Sequence, residues 1–410
     1  MGGTLLCGPS QPGEIFSGSI IPWDDCRTNL AETRNIAAQE MAGRALGFLR
    51  DQVLSLDSNA TGVWTSAGST ANEHAMYLAR EKTNRNIVIG TNLTHISIIH
   101  ACKKLGMRFE AVPTNPDNRF RVPAQELRNI LASRADEVAG VVVTCGTTHL
   151  GTSDDFDYTA ELDQTIIDNG ICLHLDEACG APYLNFGANA CRRTATAWQK
   201  AKALTTLTAD LHKFFIPTSS ACLFTAGLMI MTDPEDLKFI QPEVAYFSYS
   251  PYVASGTTIS VTPLAFFVND MESAARVMRD LGADEFQINS GIKELYQRSA
   301  KECHKWAVAM GEKIRKRGLQ LLNPIETNMI PIGFNSREER DDFLAGAKTA
   351  GFDLSPIQIE CSSRTYYGAR IAVSPRILLE KGNFKPFLKF CADFHAHKES
   401  TREPAVPQLI

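Results

Sequence analysis

The sequence predicts an α/β protein: a mostly parallel sheet with helices on both faces, then a smaller C-terminal α/β unit. Three observations carry this. Between residues 86 and 213, β-prone apolar runs alternate with amphipathic helical stretches. Two of the runs, Val138 to Thr144 and Ile171 to Asp176, are almost continuously apolar, as parallel strands covered on both faces are. At 410 residues, 44% hydrophobic and 21% charged, the chain is long enough for a sizeable core and two domains.

Taken in order, residues 1 to about 35 begin Gly/Pro-rich and carry Ile20-Ile-Pro-Trp-Asp-Asp25, an arm too short to fold alone. A helix follows, with Ala37, Met41, Ala45, Leu46, Leu49 and Val53 on one face. Gly62 to Asn72 is small and hydroxylated and leads into a helix from Glu73; it suits either an anion at a helix N-terminus or a plain N-cap. Strands are expected at 86–90 and 109–112, with a helix opening at His95 and stopped by Gly106 between them. A helix over 122–133 precedes the 138–144 strand, whose end runs into Cys145-Gly-Thr-Thr-His-Leu-Gly151. Helices from about 157 to 168 and 193 to 201 lead to strands ending at Asp176 and near Lys213. Residues 220–225 and 229–231 then read as a hairpin closing the sheet.

Between 235 and 265 the chain becomes aromatic and loop-like, with Tyr246, Tyr249 and Tyr252; such tyrosines suit a cover over a site or a subunit contact. A long helix from 289 to 317, apolar at Ile292, Leu295, Tyr296 and Trp306, begins the smaller unit. Its expected pieces are strands 319–322, 329–334 and 369–373, a helix over 337–350, and a last helix from 384 to 396 with Pro386 in its first turn. The domain division expected is an N-terminal arm and helix (1–50), a large domain (51–288) and a linking helix with the small domain (289–410).

The formal charge of −5 points to neither nucleic acid nor a membrane surface, and no apolar run reaches transmembrane length. Eleven cysteines, with no C-x-x-C pair, read as reduced thiols of a cytoplasmic protein. Among nine histidines there is no H-E-x-x-H, so metal catalysis has no motif behind it.

The chemistry gathers where open α/β sheets place it, at strand C-terminal ends. Thr208-Ala-Asp-Leu-His-Lys213 ends a β-prone run on a His-Lys pair, and a lysine there can form an imine with an aldehyde if its amine is desolvated enough to be nucleophilic. Alone, that pair is ordinary surface chemistry. Asp176, 37 residues upstream and at the end of a buried strand, gives it meaning. A buried carboxylate needs a cation or a capping role. The protonated ring nitrogen of pyridoxal 5'-phosphate (PLP) supplies one, and an acid on that nitrogen with a lysine imine is the recurring PLP arrangement.

Together these segments, from about residue 60 to 395, resemble the PLP-dependent group II amino-acid decarboxylases, a fold-type I family whose large domain has a seven-stranded sheet. The resemblance implies the following roles. Lys213 is the imine-forming lysine, His212 contacts the phosphate region, Asp176 pairs with the ring nitrogen and Ala178 lies against the ring. His95, in His95-Ile-Ser-Ile-Ile-His-Ala-Cys-Lys-Lys-Leu-Gly106, stacks on the opposite face. Ala67, Gly68 and Ser69 cradle the phosphate, Thr148 and Thr208 line the cofactor, and Arg370, in Ala-Arg-Ile-Ala-Val-Ser-Pro375, meets the substrate carboxylate. The family is dimeric, with sites at the subunit interface.

Departures from the pattern are specific. Gly-Gly-Thr-Glu-Ala becomes Ala67-Gly-Ser-Thr-Ala71, Asp-Ala-Ala becomes Asp176-Glu-Ala178, and the segment around Thr258 to Thr262 has no clear counterpart. Tyr252, in Ser-Pro-Tyr-Val, is the favoured proton donor over Tyr246 and Tyr249. The expected activity is therefore α-decarboxylation of an L-amino acid. The alternatives are another bond broken on the same cofactor (retro-aldol or β-elimination, or oxygen-dependent aldehyde formation) and a non-catalytic relative.

Overall fold

The computed structural model describes residues 43–54, 56–114, 116–121, 124–152, 159–181, 199–214, 226–240, 252–253, 256–257, 275–361, 364–373 and 384–401. The expected N-terminal arm, the strand at 220–225, Tyr246 and Tyr249 lie outside them.

Seven strands form the large sheet: β1 (Thr61–Thr65), β2 (Ile87–Thr91), β3 (Arg108–Val112), β4 (Val138–Thr144), β5 (Cys172–Asp176), β6 (Leu204–Asp210) and β7 (Gly227–Met231). Their order is β1-β7-β6-β5-β4-β2-β3. β3, β2, β4, β5 and β6 run parallel, whereas β7 is antiparallel to β6 and β1. β4, β5 and β6 are buried along their whole length, as their unbroken apolar runs require. Helices α1 (Gly68–Thr83), α2 (Ile96–Lys104), α3 (Ala124–Arg134) and α4 (Ala160–Asp168) accompany the sheet. Two buried apolar clusters form its core, one containing Ile89, Val141, Leu173 and Leu207, the other Val88, Val142, Met76 and Met229.

β1 was not expected as a strand, because Gly62 and the hydroxylated residues beside it read as loop. It is the sheet's edge strand, pairing only with β7. β7 lies between β1 and β6, antiparallel to both, and completes the sheet. N-terminal to β1, Phe48–Val53 is a π-helical turn that buries Phe48, Leu49 and Val53.

A two-residue ladder, β8 (Tyr252–Val253) with β9 (Gly256–Thr257), precedes the long helix α5 (Glu285–Arg315), which opens on an Asp284–Gln287 capping box. α5 buries Ile292, Cys303, Ala307, Met310 and Ile314. Leu295, expected on that face, is 56% exposed, since it lies off the stripe set by those residues. The second sheet contains β10 (Gln320–Leu321), β11 (Met329–Phe334), β12 (Ser355–Glu360) and β13 (Thr365–Ala372), all antiparallel in the order β10-β11-β13-β12. β12 escaped the sequence reading because Pro356 interrupts it and only alternate residues are buried; at a sheet edge both are tolerated. Helices α6 (Arg337–Thr349) and α7 (Lys385–Thr401) cover this sheet through a cluster of rings that includes Phe334, Phe343, Phe387 and Phe394.

The two sheets are tied together by polar contacts. Arg121 pairs with Glu326 at 2.8 Å, Asn92 donates to the Glu360 carbonyl, and Arg370 donates to the Thr148 carbonyl.

Gly227, at the start of β7, passes directly behind the Ala67–Gly68 turn. A Cβ there would lie 2.3 Å from the Ala67 carbonyl carbon and 2.5 Å from the Gly68 nitrogen. Gly227→Ala is therefore expected to cost about 1–3 kcal/mol, as overpacking does, measured as a lower urea midpoint at unchanged slope.

Candidate active site

The strand register brings the polar ends of β2, β4, β5 and β6 to one edge of the sheet. Asp176 lies beside Thr144 on β4 and Thr208 on β6. Two backbone bonds fix this alignment: Cys145 N–H to the Asp176 carbonyl (2.9 Å) and Glu177 N–H to the Thr208 carbonyl (3.0 Å). The turns that follow are packed together. Gly146, at φ +90°, approaches Gly180 so closely that a Cβ would meet its Cα at 2.5 Å.

Asp176 is 3% exposed. One carboxylate oxygen accepts from Asn72 Nδ2 (2.9 Å), the other from the Ala178 amide (3.1 Å). Among the described residues no cation is paired directly with it, so this buried carboxylate has hydrogen-bond donors and only the more distant charge of Lys213. Glu177 faces elsewhere: it is fully buried and accepts both contacts from Gln199 Nε2, at 2.8 and 2.9 Å. The departure from Asp-Ala-Ala therefore falls on the side of β5 away from Asp176.

Lys213 lies in the short helical turn Leu211–Phe214 after β6, with Nζ 3.3 Å from Asp210 Oδ2. Burial pulls the amine down, but Cys179, Asp210 and Asp176 more than offset it, and Lys213 sits above the ordinary lysine value. Desolvation alone, the condition set for a nucleophilic amine, is thus outweighed here, first by Cys179 and then by Asp210 and Asp176.

His95 caps α2, accepting at Nδ1 from the Ser97 amide (3.3 Å), with the Ser97 hydroxyl 2.8 Å away. Burial lowers its pKa; Asp176 opposes that shift, while Lys213 and Arg370 reinforce it. His95 is thus neutral in a site it shares with Asp176, Lys213 and Arg370. Arg370 reaches over from β13 to the Thr148 carbonyl. His149, the next residue in that turn, is pushed down to about 4, mainly by burial and further by Arg370 and His95.

Ala67, Gly68 and Ser69 form the N-terminus of α1. Ala67 is the N-cap in extended conformation and offers no side-chain cap to a 16-residue helix. Gly68 abuts its neighbours: a Cβ would come within 2.9 Å of Asp210 Oδ2 and 3.1 Å of Ala178 Cβ. Thr208 Oγ1 is buried with no hydrogen-bond partner among the described residues. Tyr252 begins β8, but its side chain, like that of His212, lies outside the described residues.

These features suit PLP. An uncapped helix N-terminus accepts a phosphate, a buried carboxylate with no directly paired cation accepts a protonated ring nitrogen, and a lysine stands beside both. Asn72, Ser97, His174 and Asp210 were passed over in the sequence. The available signal was a polar residue at a position that pattern makes apolar, as His174 is within Ile171–Leu175.

Comparison with known proteins agrees. Residues 28–180 match the aminotransferase class I and II family. The chain is 26% identical over 349 residues, 81% of each chain, to a probable L-tyrosine/L-aspartate decarboxylase of Methanopyrus kandleri. It is 25% identical over 351 residues to an L-aspartate decarboxylase of Thermococcus kodakarensis, covering 84% of this chain and 80% of that one. Among solved structures, a Lactobacillus brevis glutamate decarboxylase superposes with a TM-score of 0.70 at 16% identity, over 98% of this chain and 89% of that one.

Buried His74 and His174 are both pushed down to about 4 by burial. Their unfolded-state pKa is near 6.5, so the unfolded chain takes up the protons first as pH falls. Stability is expected to be full above pH 6.5 and to decline between 6.5 and 4, by at most about 3 kcal/mol per pH unit for the two groups, read from urea unfolding at successive pH values. In fold the chain is similar to a solved glutamate decarboxylase, and in sequence to curated amino-acid decarboxylases.

Proposed function

We propose that this protein is a PLP-dependent α-decarboxylase of an L-amino acid. The observation that carries the reading is the convergence, at one sheet edge, of a buried carboxylate without a directly paired cation (Asp176), an amine (Lys213) and a neutral histidine (His95), with a guanidinium reaching over from the second sheet (Arg370). Bound PLP supplies the electron sink that takes up the charge left on Cα when carbon dioxide departs.

Each residue has a task set by its surroundings. Asp176, fixed by Asn72 and the Ala178 amide, keeps the ring nitrogen protonated. The N-terminus of α1, from Ala67 to Ser69, holds the phosphate, with His212 on the same side by resemblance. His95 and Ala178 take opposite faces of the ring, and Thr148 and Thr208 line it. Lys213 holds the cofactor and must pass its proton to a neighbouring acid, Asp210 being 3.3 Å away, before its amine can attack. Arg370 exchanges the Thr148 carbonyl for the substrate carboxylate, a stronger acceptor. Tyr252 or His95 returns a proton to Cα.

Further parts of the reading rest on narrower support. The large domain spans 51–288 and the small domain 289–410, supported by the separate sheets. The protein works as a homodimer, by resemblance, with the N-terminal arm, residues 1 to about 35, docked on the rest of the protein or on the partner subunit. A cytoplasmic location is supported by the cysteine pattern, eleven cysteines with no C-x-x-C pair. No helix among the described residues is long and apolar enough to cross a membrane.

Incubation with each of the twenty amino acids, following carbon dioxide, ammonia, peroxide and product mass, is expected to give an amine with stoichiometric carbon dioxide from one or a few of them. An aldehyde with peroxide, or a product that retains its carboxylate, overturns decarboxylation. Lys213→Ala is expected to abolish both turnover and the borohydride-reducible cofactor adduct; an adduct surviving on another lysine refutes the assignment of Lys213. Arg370→Ala is expected to raise KM by roughly tenfold or more, the scale of one lost charge-assisted hydrogen bond.

A further inference from the structure

Behind the site runs a line of hydrogen bonds whose direction can be deduced atom by atom. The Ser97 amide can only donate, so His95 Nδ1, 3.3 Å away, carries no proton. The Ser97 hydroxyl at 2.8 Å therefore also donates to Nδ1, which leaves its oxygen to accept from Asn72 Nδ2 at 3.0 Å. The second hydrogen of the same amide goes to Asp176 Oδ2 at 2.9 Å. Asn72 Oδ1 then faces His174 Nε2 at 3.1 Å, and an amide oxygen only accepts, so His174 bears its proton on Nε2. Its Nδ1 takes the hydroxyl proton of Thr206 at 2.9 Å.

Every polar atom of the Asn72 side chain is thus committed. Turning the amide over would set its oxygen against both the Asp176 carboxylate and the Ser97 oxygen, and its NH2 against the His174 N–H. Asn72 and His174 are 1% and 2% exposed, so water cannot substitute for a lost partner at small cost.

We propose that Asn72, oriented by His174 and Thr206 behind it, is a positioning residue that holds two groups of the site together: the Asp176 carboxylate, and the Ser97 hydroxyl that is the second donor to His95 Nδ1 beside the Ser97 amide. It acts through two residues assigned to the cofactor, and so the inference rests on their assignment above. The coupling is built into one amide group. Whatever releases its hydrogens from Asp176 also releases the Ser97 hydroxyl, and with it one of the two donors to His95 Nδ1.

Asn72→Asp tests this with little change of shape. The new side chain keeps an acceptor for His174 but offers no hydrogen to Asp176 or Ser97. The Ser97 hydroxyl then turns to the new carboxylate, and two acids face each other. PLP titration of the apoprotein is expected to show roughly 10- to 100-fold weaker binding, the scale of losing a hydrogen bond to a buried charge. In the 15N-histidine NMR spectrum of the holoenzyme, assigned with His95→Asn, His95 is expected to be Nε2-protonated throughout, with its Nδ1 resonance moved in the variant because one of its two donors is gone. Ser97→Ala removes the same hydroxyl bond and leaves the amide's, and is expected to reproduce that movement. The proposal is overturned if PLP affinity is unchanged in Asn72→Asp, or if the His95 Nδ1 resonance stays at its wild-type position in both variants. Neither readout passes through turnover, so a different reaction on the same cofactor would leave these outcomes as they are.

Discussion

A carboxylate buried at the end of a central strand, with hydrogen-bond donors but, among the described residues, no cation paired directly with it, is the constraint on which the rest of this structure depends. Removing Asp176 from water is costly, and the surrounding chain offsets that cost only in part, with one side-chain amide and one backbone N–H. What remains is a demand for positive charge at one point in space. The parallel strands deliver Thr144 and Thr208 to either side of that point, and the turns after β4 and β6 bring Thr148 and Lys213 to it. The protein is folded around a site whose electrostatics are completed from outside.

The acids near Lys213 give that incompleteness a second aspect. With Cys179, Asp210 and Asp176 all acting on it, the Lys213 amine is favoured as an ammonium and is the positive charge nearest these acids among the described residues. In the proposed reading, a ring nitrogen at Asp176 would take over part of that role. The amine that must then become nucleophilic is the one whose positive charge would become dispensable, and the two requirements meet in the same pair of carboxylates.

Much of this was legible in the sequence, and what was not failed for identifiable reasons. Lys213, Asp176 and His95 could be read because each follows or heads a segment with an unmistakable period. β4 and β5 are apolar without interruption, and α2 opens at a histidine and stops at Gly106. β1 and β12 were missed because each is an edge strand, where glycine and proline are tolerated and only part of the strand is buried. Leu295 was misplaced because apolar spacing alone does not fix the centre of a helix's buried stripe. Asn72, Ser97 and His174 were invisible for a deeper reason: their roles lie in pairings across 25 to 104 residues of chain, and local pattern holds no information about such partners. Asp210 was in plain view inside Thr208–Lys213, but its importance comes only from the turn that folds Lys213 back toward it.

Asp176 and Glu177 are neighbours with opposite fates, one lining the site and the other sealed against Gln199. Successive residues of an extended chain point to opposite faces, so sliding β5 by a single residue would carry Glu177 to the place Asp176 holds. A glutamate would then stand at the site, one methylene longer, and Ala178 would face Gln199 with nothing to accept its hydrogens. The apolar sequence of β5 does little to prevent that slip, since both faces of the strand are buried. The bonds from Cys145 and Glu177 to the carbonyls on neighbouring strands, with His174 locked between Thr206 and Asn72, hold the frame. The polar residues that shape the site therefore also act as the reading-frame marker of the central strand, and a chain lacking them would lose its fold's alignment along with its chemistry.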